Sequence, residues 1–455
     1  MILRVPKLEA DLGIEIYAST SKGIGGKIRT RPEDFVVEEL LADGSRASVK
    51  SCRDVSLPSG HGRYLVCRLT KKGWDTLEVV REIAERIDVS PGRISIAGLK
   101  DTRAVTAQHI SIGGIPPERV LKVDLEDLAV TPLRFSSNKI TSSLLFGNHF
   151  GITVRAIELS SAAVHRRIRK TTEELRDQGG IPNFFGHQRF GTIRPITHRV
   201  GQCLVKEEFR EAALIFLSEP SPHEYPRARR ARKRLRDTGD FESTLRIFPR
   251  RFTYERLMLR HLSRNNRDYL GALRRLPLKL RRLFVQACQS YFFNRFLSER
   301  MKRGIPIDRP QIGDYAVDLD EKGLPTFSSR KAEASNITEI NQKIGEGNMA
   351  FAMPLIGFRQ PPSDGIQGEI EKDVLEEERI EADDFQIQKM PEASARGVLR
   401  RALAPILELN TEYREPTVDQ DGSSVEFVFT LHKGSYATVL LREFMKPDNL
   451  VRAGF

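Results

Sequence analysis

Long apolar runs, paired cysteines and histidine metal motifs are missing from the sequence. No apolar run could span a membrane, and the N-terminal MILRVPKLEADLG lacks the apolar core of a secretory signal. The four cysteines are far apart, with no C-x-x-C pair, and the nine histidines form no H-E-x-x-H pair. We therefore expect no membrane association, disulfide framework or metal site, and a protein of the reducing cytoplasm.

Positive charge is what the sequence has in excess. Lysine and arginine number 73 against 61 acidic residues, which gives a formal net charge of +12. Such an excess favours polyanionic partners through phosphate neutralisation, although many basic proteins bind no nucleic acid. The length of 455 residues and the 39% hydrophobic content describe a globular protein of two or three domains.

Hydrophobic patterning places β structure at both ends of the chain and basic helices between them. Alternating or apolar runs predict strands at 63–69, 94–97, 105–112, 146–157 and 425–431. Helical, basic segments dominate from about residue 200 to 304, and a helix over Leu280–Lys302 is apolar on more than one side. The Pro/Gly-rich, then acidic stretch 361–384 is expected to be an exposed loop or a small charged helix. The pattern suggests one α/β domain interrupted by a long insertion.

The segment ISIAGLKDTRAVTAQHISI, residues 94–112, holds a polar loop between two apolar strands. Asp101 lies between Lys100 and Arg103, and Gly98 permits close approach of a ligand or backbone. If the two cations also flank Asp101 in space, its carboxylate stays ionised and can act as a nucleophile or base. The same residues are ordinary hairpin-turn composition, and on spacing alone the turn is the more frequent explanation.

The segment GGIPNFFGHQRFG, residues 179–191, interleaves aromatic rings with amide and guanidinium donors. Its rings and polar side chains are Asn183, Phe184, Phe185, His187, Gln188, Arg189 and Phe190. Such a mixture suits an unstacked base, which needs ring stacking and edge hydrogen bonds. An aromatic core segment with glycine bends explains the pattern equally well.

Two further segments carry polar residues in structurally demanding places. In RPEDFVVEEL, strand alternation puts Phe35, Val37 and Glu39 on one face, where a carboxylate needs a partner unless this is an edge strand that reaches solvent. In KGSYATVLLRE, Ser435 is the expected N-cap of a helix that starts at Tyr436. Helix starts attract phosphate, but a packed ring at a helix cap is the simpler interpretation.

Residues 227–236, RARRARKRLR, contain seven basic residues in ten. The run could dock on a phosphate backbone, and it also resembles a nuclear-localisation signal. A solvated basic helix is the plain alternative.

Taken together, these segments resemble the TruD family of tRNA pseudouridine synthases. The matching motifs are R-P-E-D-F-V-V-E-E, A-G-L-K-D with A-V-T-A-Q, N-F-F-G-H-Q-R-F-G, Q-S-Y-F-F-N and G-S-Y-A-T followed by R-E, in family order. The resemblance implies an α+β fold, with a pseudouridine-synthase mixed β-sheet catalytic domain (1–200 and 410–455) interrupted by a largely helical, RNA-binding TRUD insertion domain (201–409). It implies isomerisation of a uridine in tRNA, typically at position 13, without metal or organic cofactor. We separately expect tRNA as the partner and a monomeric protein.

The resemblance also assigns roles to matching residues. Asp101 matches the family's catalytic aspartate, and Asn183 and Phe185 match residues that line the base pocket. Tyr436 stands where the family often has Phe, and Arg29 where some members have Lys, which binds phosphate or pairs with a carboxylate. Candidates for substrate binding are therefore Arg29, Glu39, Lys100, Asn183, Phe185, Gln188, Arg189 and Tyr436.

Two other functions compete with this interpretation. A non-catalytic tRNA-binding protein on the same fold would use the basic insertion, but it would have no need of the G-L-K-D aspartate. A glycosylase or nuclease would release uracil or cut strands, and a nuclease usually needs a cluster of metal-binding acids, which the sequence does not suggest.

Overall fold

The computed structural model describes residues 4–50, 57–123, 125–416 and 422–455, which leaves Cys52 outside the described residues. These residues pack into two compact units. The sheet unit comprises Ser21–Ile181 and Ala404–Phe455, and the helical unit comprises Met1–Thr20 and Pro182–Leu403. The roles of two domains remain predictions. Residues 1–200 and 410–455 are predicted to be catalytic, and residues 201–409 are predicted to bind RNA.

The elements are numbered in chain order. The strands are β1 (Phe35–Leu41), β2 (Tyr64–Lys72), β3 (Ile94–Ile96), β4 (Val105–Gly113), β5 (Leu128–Ser136), β6 (Leu145–Ile157), β7 (Ile181–Pro182), β8 (Tyr315–Leu319), β9 (Pro325–Lys331), β10 (Met349–Leu355), β11 (Val398–Arg401), β12 (Leu403–Ala404), β13 (Leu407–Arg414) and β14 (Ser423–His432). The helices are α1 (Lys7–Ala10), α2 (Thr76–Arg86), α3 (Pro117–Val120), α4 (Ser161–Asp177), α5 (Thr197–Val205), α6 (Phe209–Ser218), α7 (Pro226–Thr238), α8 (Phe241–Ile247), α9 (Thr253–Leu262), α10 (Tyr269–Arg274), α11 (Leu278–Lys302), α12 (Ile337–Gly345), α13 (Gly365–Glu378) and α14 (Ala437–Met445).

The sheet unit is built on a mixed eight-stranded sheet. Its order is β13–β14–β6–β1–β4–β2–β5, with β3 paired to β4, and β1 runs parallel to β4 while the other neighbours are antiparallel. Helix α2 buries Val79 and Ile83 against Leu65 and Leu69 of β2, since apolar positions of both elements face one core. The predicted α+β fold with a mixed sheet is confirmed.

The helical unit contains α5 to α11 and a four-stranded antiparallel sheet of order β11–β10–β8–β9. The long helix α11 is buried over most of its length, including Phe284, Phe292 and Phe296. The prediction that this helix is apolar on more than one side is therefore confirmed.

The acidic stretch after residue 361 forms a helix rather than an exposed loop. Helix α13 buries Ile370, Val374 and Leu375 at helical spacing, and most of its acids are exposed, although Glu371 is buried. Of the two structures expected for this stretch, the charged helix is correct and the exposed loop is wrong.

Candidate active site

The loop that carries Asp101 connects β3 to β4 and is held by a buried lysine. The Lys71 ammonium is 0% exposed and donates to the backbone carbonyls of Trp74 at 2.8 Å, Asp101 at 2.9 Å and Lys100 at 3.4 Å. Thr76 Oγ1 accepts a hydrogen bond from the Lys100 N–H at 3.2 Å. A charged donor shared by several carbonyls makes strong hydrogen bonds, so the backbone of this loop is fixed at Asp101.

The Asp101 carboxylate pairs with Arg29 rather than with its neighbours in sequence. Arg29 Nη2 lies 3.1 Å from Asp101 Oδ2, and the side chain of Arg29 is 8% exposed against 38% for Asp101. Arg29 Nη1 donates to the Gly454 carbonyl, and its guanidinium lies 4.0 Å from the centre of the Phe35 ring. The carboxylate is therefore oriented on one side by a packed guanidinium and open to solvent on the other.

Burial of Arg29 has an electrostatic cost that Asp101 partly offsets. Desolvation lowers the pKa of the Arg29 guanidinium, and the charge and hydrogen bond of Asp101 raise it without restoring the ordinary value. An arginine keeps its proton at any physiological pH even after such a change. Arg29 therefore supplies a permanent positive charge next to Asp101.

Lys100 turns toward Glu39 instead of Asp101. Glu39 is fully buried, with Oε1 2.8 Å from Lys100 Nζ and Oε2 accepting the His109 backbone N–H at 2.8 Å. Burial raises the pKa of Glu39, but the hydrogen bonds from His109 and the charge of Lys100 outweigh burial and leave that pKa below its ordinary value. Lys100 Nζ also donates to Asn148 Oδ1 at 3.0 Å. The predicted burial of Phe35, Val37 and Glu39 on one face is confirmed, and the buried carboxylate has the partner it needs.

The backbone beside Asp101 has room for a ligand. A Cβ atom built on Gly98 would meet no described atom within 4 Å. The Gly98 carbonyl accepts a hydrogen bond from Gln108 Nε2 at 3.1 Å, which fixes this side of the loop from β4. Leu99 is 65% exposed next to this space. The loop thus combines a fixed backbone with open space in front of Gly98.

Tyr436 lies at the start of α14 in the sheet unit and is half-buried. The helix begins at Ala437 with Tyr436 in the N-cap position and no side-chain cap hydrogen bond. The prediction that Ser435 caps this helix is therefore wrong, since the chain enters the helical conformation one residue later than expected.

In the helical unit, Arg400 contacts both Asn183 and Phe185. The Arg400 guanidinium donates to Asn183 Oδ1 at 2.7 Å and to the Asn183 carbonyl at 3.0 Å, and it lies 4.0 Å from the centre of the Phe185 ring. Asn294 Oδ1 accepts the Phe185 N–H at 2.8 Å, and its Nδ2 donates to the Phe185 carbonyl. Phe185 is 8% exposed. Both residues are therefore held in one orientation by strong side-chain contacts.

Gln188 and Arg189 follow these residues on a short turn. Gln188 is exposed, whereas Arg189 Nε donates to Ser290 Oγ at 3.1 Å and its guanidinium lies 5.8 Å from the Phe185 ring centre. The structure thus joins Arg29, Glu39, Lys100 and Asp101 by direct contacts in the sheet unit. It joins Asn183, Phe185 and Arg189 in the helical unit.

Three supporting residues were missed by the sequence analysis. Lys71 continues the alternation of Leu65, Cys67 and Leu69 on the core face of β2, which is a detectable signal for a buried lysine. His109 lies on the buried strand β4. Arg400 has no local signal, because its contacts with Asn183 and Phe185 span more than two hundred residues.

Among the residues that the structure describes, there is no cluster of three or more histidine, cysteine or acidic side chains suited to a metal ion. The helices in that part of the chain include none that is long and apolar enough to cross a bilayer. The cysteines described there, Cys67, Cys203 and Cys288, are free thiols.

Comparison with known proteins gives consistent matches along the whole chain. The family model for tRNA pseudouridine synthase D (TruD) matches residues 11–444. A Methanosarcina mazei protein named "Probable tRNA pseudouridine synthase D" is 38% identical over 451 residues, covering 98% of this chain and 99% of that protein. A Methanopyrus kandleri protein with the same name is 40% identical over 392 residues, covering 86% and 88%.

A solved structure extends the likeness to three dimensions. The crystal structure of a Methanosarcina mazei protein assigned to tRNA pseudouridine synthase D (TruD) matches with a TM-score of 0.82 at 38% identity, covering 98% of this chain and 99% of that one. The mixed-sheet fold described above is therefore the fold of that structure. The chain belongs to the TruD family.

Proposed function

We propose that this protein is a tRNA pseudouridine synthase that converts uridine to pseudouridine, at position 13 of its tRNA substrate, with Asp101 as the catalytic residue. The observation that carries the proposal is the Asp101 carboxylate, which Arg29 orients at 3.1 Å while 38% of the side chain stays exposed. Membership of the TruD family supports the reaction, and the A-G-L-K-D motif supports the residue.

The reaction requires the C1′–N1 bond to break, the uracil to rotate while bound, and C5 to bond to C1′. C5 then loses its proton and N1 gains one, so product and substrate are isomers. An ionised carboxylate can assist either by attacking C1′ or by removing a proton from the sugar. Both roles require the carboxylate to be held in one orientation, and the Arg29 guanidinium 3.1 Å away provides that contact. Uracil is retained throughout, so the chemistry needs no activated water, and we propose that no metal or organic cofactor takes part.

The uracil must leave the base stack to reach a carboxylate, and contacts in the pocket must recover that cost. We propose that Asn183 binds the uracil edge, because its bonds to Arg400 and to the Arg401 carbonyl leave one N–H and one lone pair. Since Phe185 is 8% exposed and Arg400 covers one face, we propose that Phe185 supports the pocket wall rather than offering a whole face for stacking.

The remaining candidates have supporting roles in this proposal. Glu39 and Lys100 hold the β3–β4 loop through their buried ion pair. Tyr436 stacks against the target base from the start of α14, and Gln188 and Arg189 bind the RNA beside the base. We propose that residues 1–200 and 410–455 form the catalytic domain and that residues 201–409 form an insertion that binds tRNA. We propose that the protein acts as a monomer in the cytoplasm.

Mass spectrometry of a uridine-containing tRNA transcript tests the proposal. Wild type should form pseudouridine at position 13, and a transcript with cytidine there should yield none. Asp101→Asn should form no product while it still binds the tRNA. The matched control is Asp88→Asn, which makes the same chemical change at a fully exposed carboxylate and should keep wild-type activity.

The outcomes separate the competing functions. Turnover by Asp101→Asn would remove Asp101 from the catalytic role. Tight tRNA binding without product by wild type would favour the non-catalytic RNA-binding protein, and free uracil or cut strands would favour a glycosylase or nuclease.

A further inference from the structure

Helix α7 in the helical unit has a row of basic side chains on its solvent-facing side, from Arg227 to Arg236. Ala228, Ala231, Arg232 and Leu235 recur at helical spacing and form the buried face. Arg227, Arg230, Lys233 and Arg234 are exposed on the opposite side, and Arg229 is half-buried at its margin. Arg251 adds a cation at the N-terminal end, with its guanidinium 4.0 Å from the ring centre of the N-cap residue Tyr225. We call this set the α7 basic surface: Arg227, Arg229, Arg230, Lys233, Arg234 and Arg251.

The charges of the α7 basic surface are not neutralised by the described part of the chain. None of its six cations has a carboxylate oxygen within 4.0 Å there, although Arg234 donates to Ser243 Oγ at 3.1 Å. Some exposed cations elsewhere in the helical unit have such a partner, as in the Arg303–Asp373 and Lys372–Glu376 pairs. On α7, several cations without such a partner follow one another along one exposed helix face.

This arrangement opposes the stability of the helix itself. Arg230 has like charges three or four residues away at Arg227, Lys233 and Arg234, and like charges at those spacings destabilise a helix. Arg227 also lies in a first turn that contains no acidic residue, where the positive end of the helix dipole disfavours cations. The one acidic residue of α7 is Asp237, which lies near the C-terminal end of the helix and pairs with Arg236. An external anion would therefore relieve the repulsion around Arg227 and Arg230.

A buried arginine holds the same helix in a fixed position. Arg232 is 0% exposed, with Nε 2.9 Å from Glu224 Oε2 and Nη2 2.6 Å from Glu255 Oε1. Its Nη1 also donates to the carbonyls of Phe216 and Leu217. The exposed cations are therefore presented from a rigid support, which reduces the entropy lost when they bind a partner.

We propose that the α7 basic surface binds the sugar-phosphate backbone of the tRNA substrate. The inference rests on the tRNA substrate proposed above. Phosphates match isolated guanidinium and ammonium groups, and each neutralised phosphate releases counterions. A membrane-bound helix would need an apolar face toward the lipid, but the apolar face of α7 is already buried by the protein.

A triple variant, Arg227→Gln/Arg230→Gln/Arg234→Gln, tests the surface. We expect tRNA to bind at least about tenfold more weakly at 0.1 M salt, and the slope of log affinity against log salt to fall by about 2 to 3. The rate at subsaturating tRNA should fall by about the same factor as the affinity, because these side chains bind the RNA. The matched control is Arg246→Gln/Arg309→Gln/Lys372→Gln, which removes the same charge from cations that pair with acids in the chain.

Binding of the α7 variant with the affinity and salt slope of the control would overturn the proposal. It would also be overturned if the variant lost affinity for phosphatidylserine vesicles but kept its affinity for tRNA, since the surface would then bind a membrane. Weaker tRNA binding by the variant, together with no pseudouridine from wild type, would support the surface while the proposed reaction failed.

Discussion

The Asp101 loop and the α7 basic surface use positive charge in opposite ways. Around the loop, Arg29 and Lys100 have side chains 8% and 5% exposed, and each lies against a named carboxylate. The cations of the α7 basic surface have no carboxylate oxygen within 4.0 Å in the described chain, whereas Arg236 near the end of the helix pairs with Asp237. Buried charge must be paired because desolvation is costly, whereas exposed charge carries little such penalty. The first group therefore fixes geometry, and the second is available to a partner.

Helix α7 contains a buried, carboxylate-paired arginine and an exposed arginine only two residues apart. Arg232 is fully buried between two carboxylates, and Arg234 is exposed beside Ser243. The difference follows from helical spacing, since only Arg232 shares the face of Ala228 and Leu235. If this contrast is correct, substitution of Arg232 should change the stability of the protein, and substitution of Arg234 should change tRNA binding.

Arg232→Met should have the largest effect on stability. It would leave Glu224 and Glu255 buried without their main cation, and breaking a buried pair from one side costs about 3–5 kcal/mol. Chemical denaturation would measure the loss of unfolding free energy. Arg234→Met is the control and should change it by less than about 0.5 kcal/mol. Similar small losses in both variants would show that Arg232 is not the support of α7.

Glu39→Gln should destabilise the sheet unit by about 3 kcal/mol, because the buried Lys100 ammonium would lose its carboxylate. The pKa of Glu39 lies below its ordinary value in the folded protein, so its contribution is present above an unfolded pKa of about 4.3 and is lost as pH falls. Denaturation as a function of pH should therefore show a smaller acid-dependent loss in Glu39→Gln than in wild type. An equal loss of stability with falling pH in wild type and Glu39→Gln would show that Glu39 is not the group that titrates. Restored stability in Glu39→Gln/Lys100→Met would confirm that the unpaired ammonium is the cause.

Lys71→Met should lower the single-turnover rate by about 10- to 100-fold, since a small displacement of a catalytic group has effects of that size. Burial lowers the pKa of Lys71 to about 8, and the opposing influence of Asp101 and Asp75 is smaller. Deprotonation of the Lys71 ammonium removes its charge and one of its N–H donors, which weakens its hydrogen bonds to the Trp74 and Asp101 carbonyls. The wild-type rate should therefore fall as pH rises through about 8, and Lys71→Met should lack this step.

Two controls make the Lys71 prediction specific. Lys72→Met alters the next residue, which pairs with Glu33 at the surface, and should keep both the rate and the pH step. Unfolding cannot explain the fall in rate. An unfolded lysine has a pKa of about 10.4, so between about pH 8 and 10.4 the unfolded state binds more protons at Lys71 than the folded state does. The contribution of Lys71 to the free energy of unfolding therefore rises with pH over that range. A pH-independent wild-type rate would show that the charge of Lys71 is not needed.

Sequence periodicity predicted which residues are buried better than it predicted their partners. Alternation along β1 placed Glu39 on the buried face, and this held because side chains in a strand alternate strictly. Lys100 and Arg103 flank Asp101 in sequence, and whether they also do so in space was left open; the partner in the structure is Arg29. Adjacent side chains in a loop follow no fixed period, so adjacency in sequence did not give their direction. The buried position of Arg232 was accessible from the spacing of Ala228, Ala231 and Leu235, although the basic composition of the run obscured it.

Arg230→Glu should have the smallest effect on stability. Whether the Tm rises or falls tests whether the α7 charges repel one another. A glutamate there replaces three repulsive contacts, with Arg227, Lys233 and Arg234, by attractive ones at favourable helical spacing. We expect the Tm to rise by about 1–3 °C at low salt and to be unchanged at high salt. Arg230→Gln only removes the repulsion and should give about half of that rise. The same charge reversal should weaken tRNA binding more than Arg230→Gln does, so stability and binding should move in opposite directions. A lower Tm for Arg230→Glu would mean that the α7 charges are already accommodated by the fold, and the unpaired charge would no longer indicate an external partner.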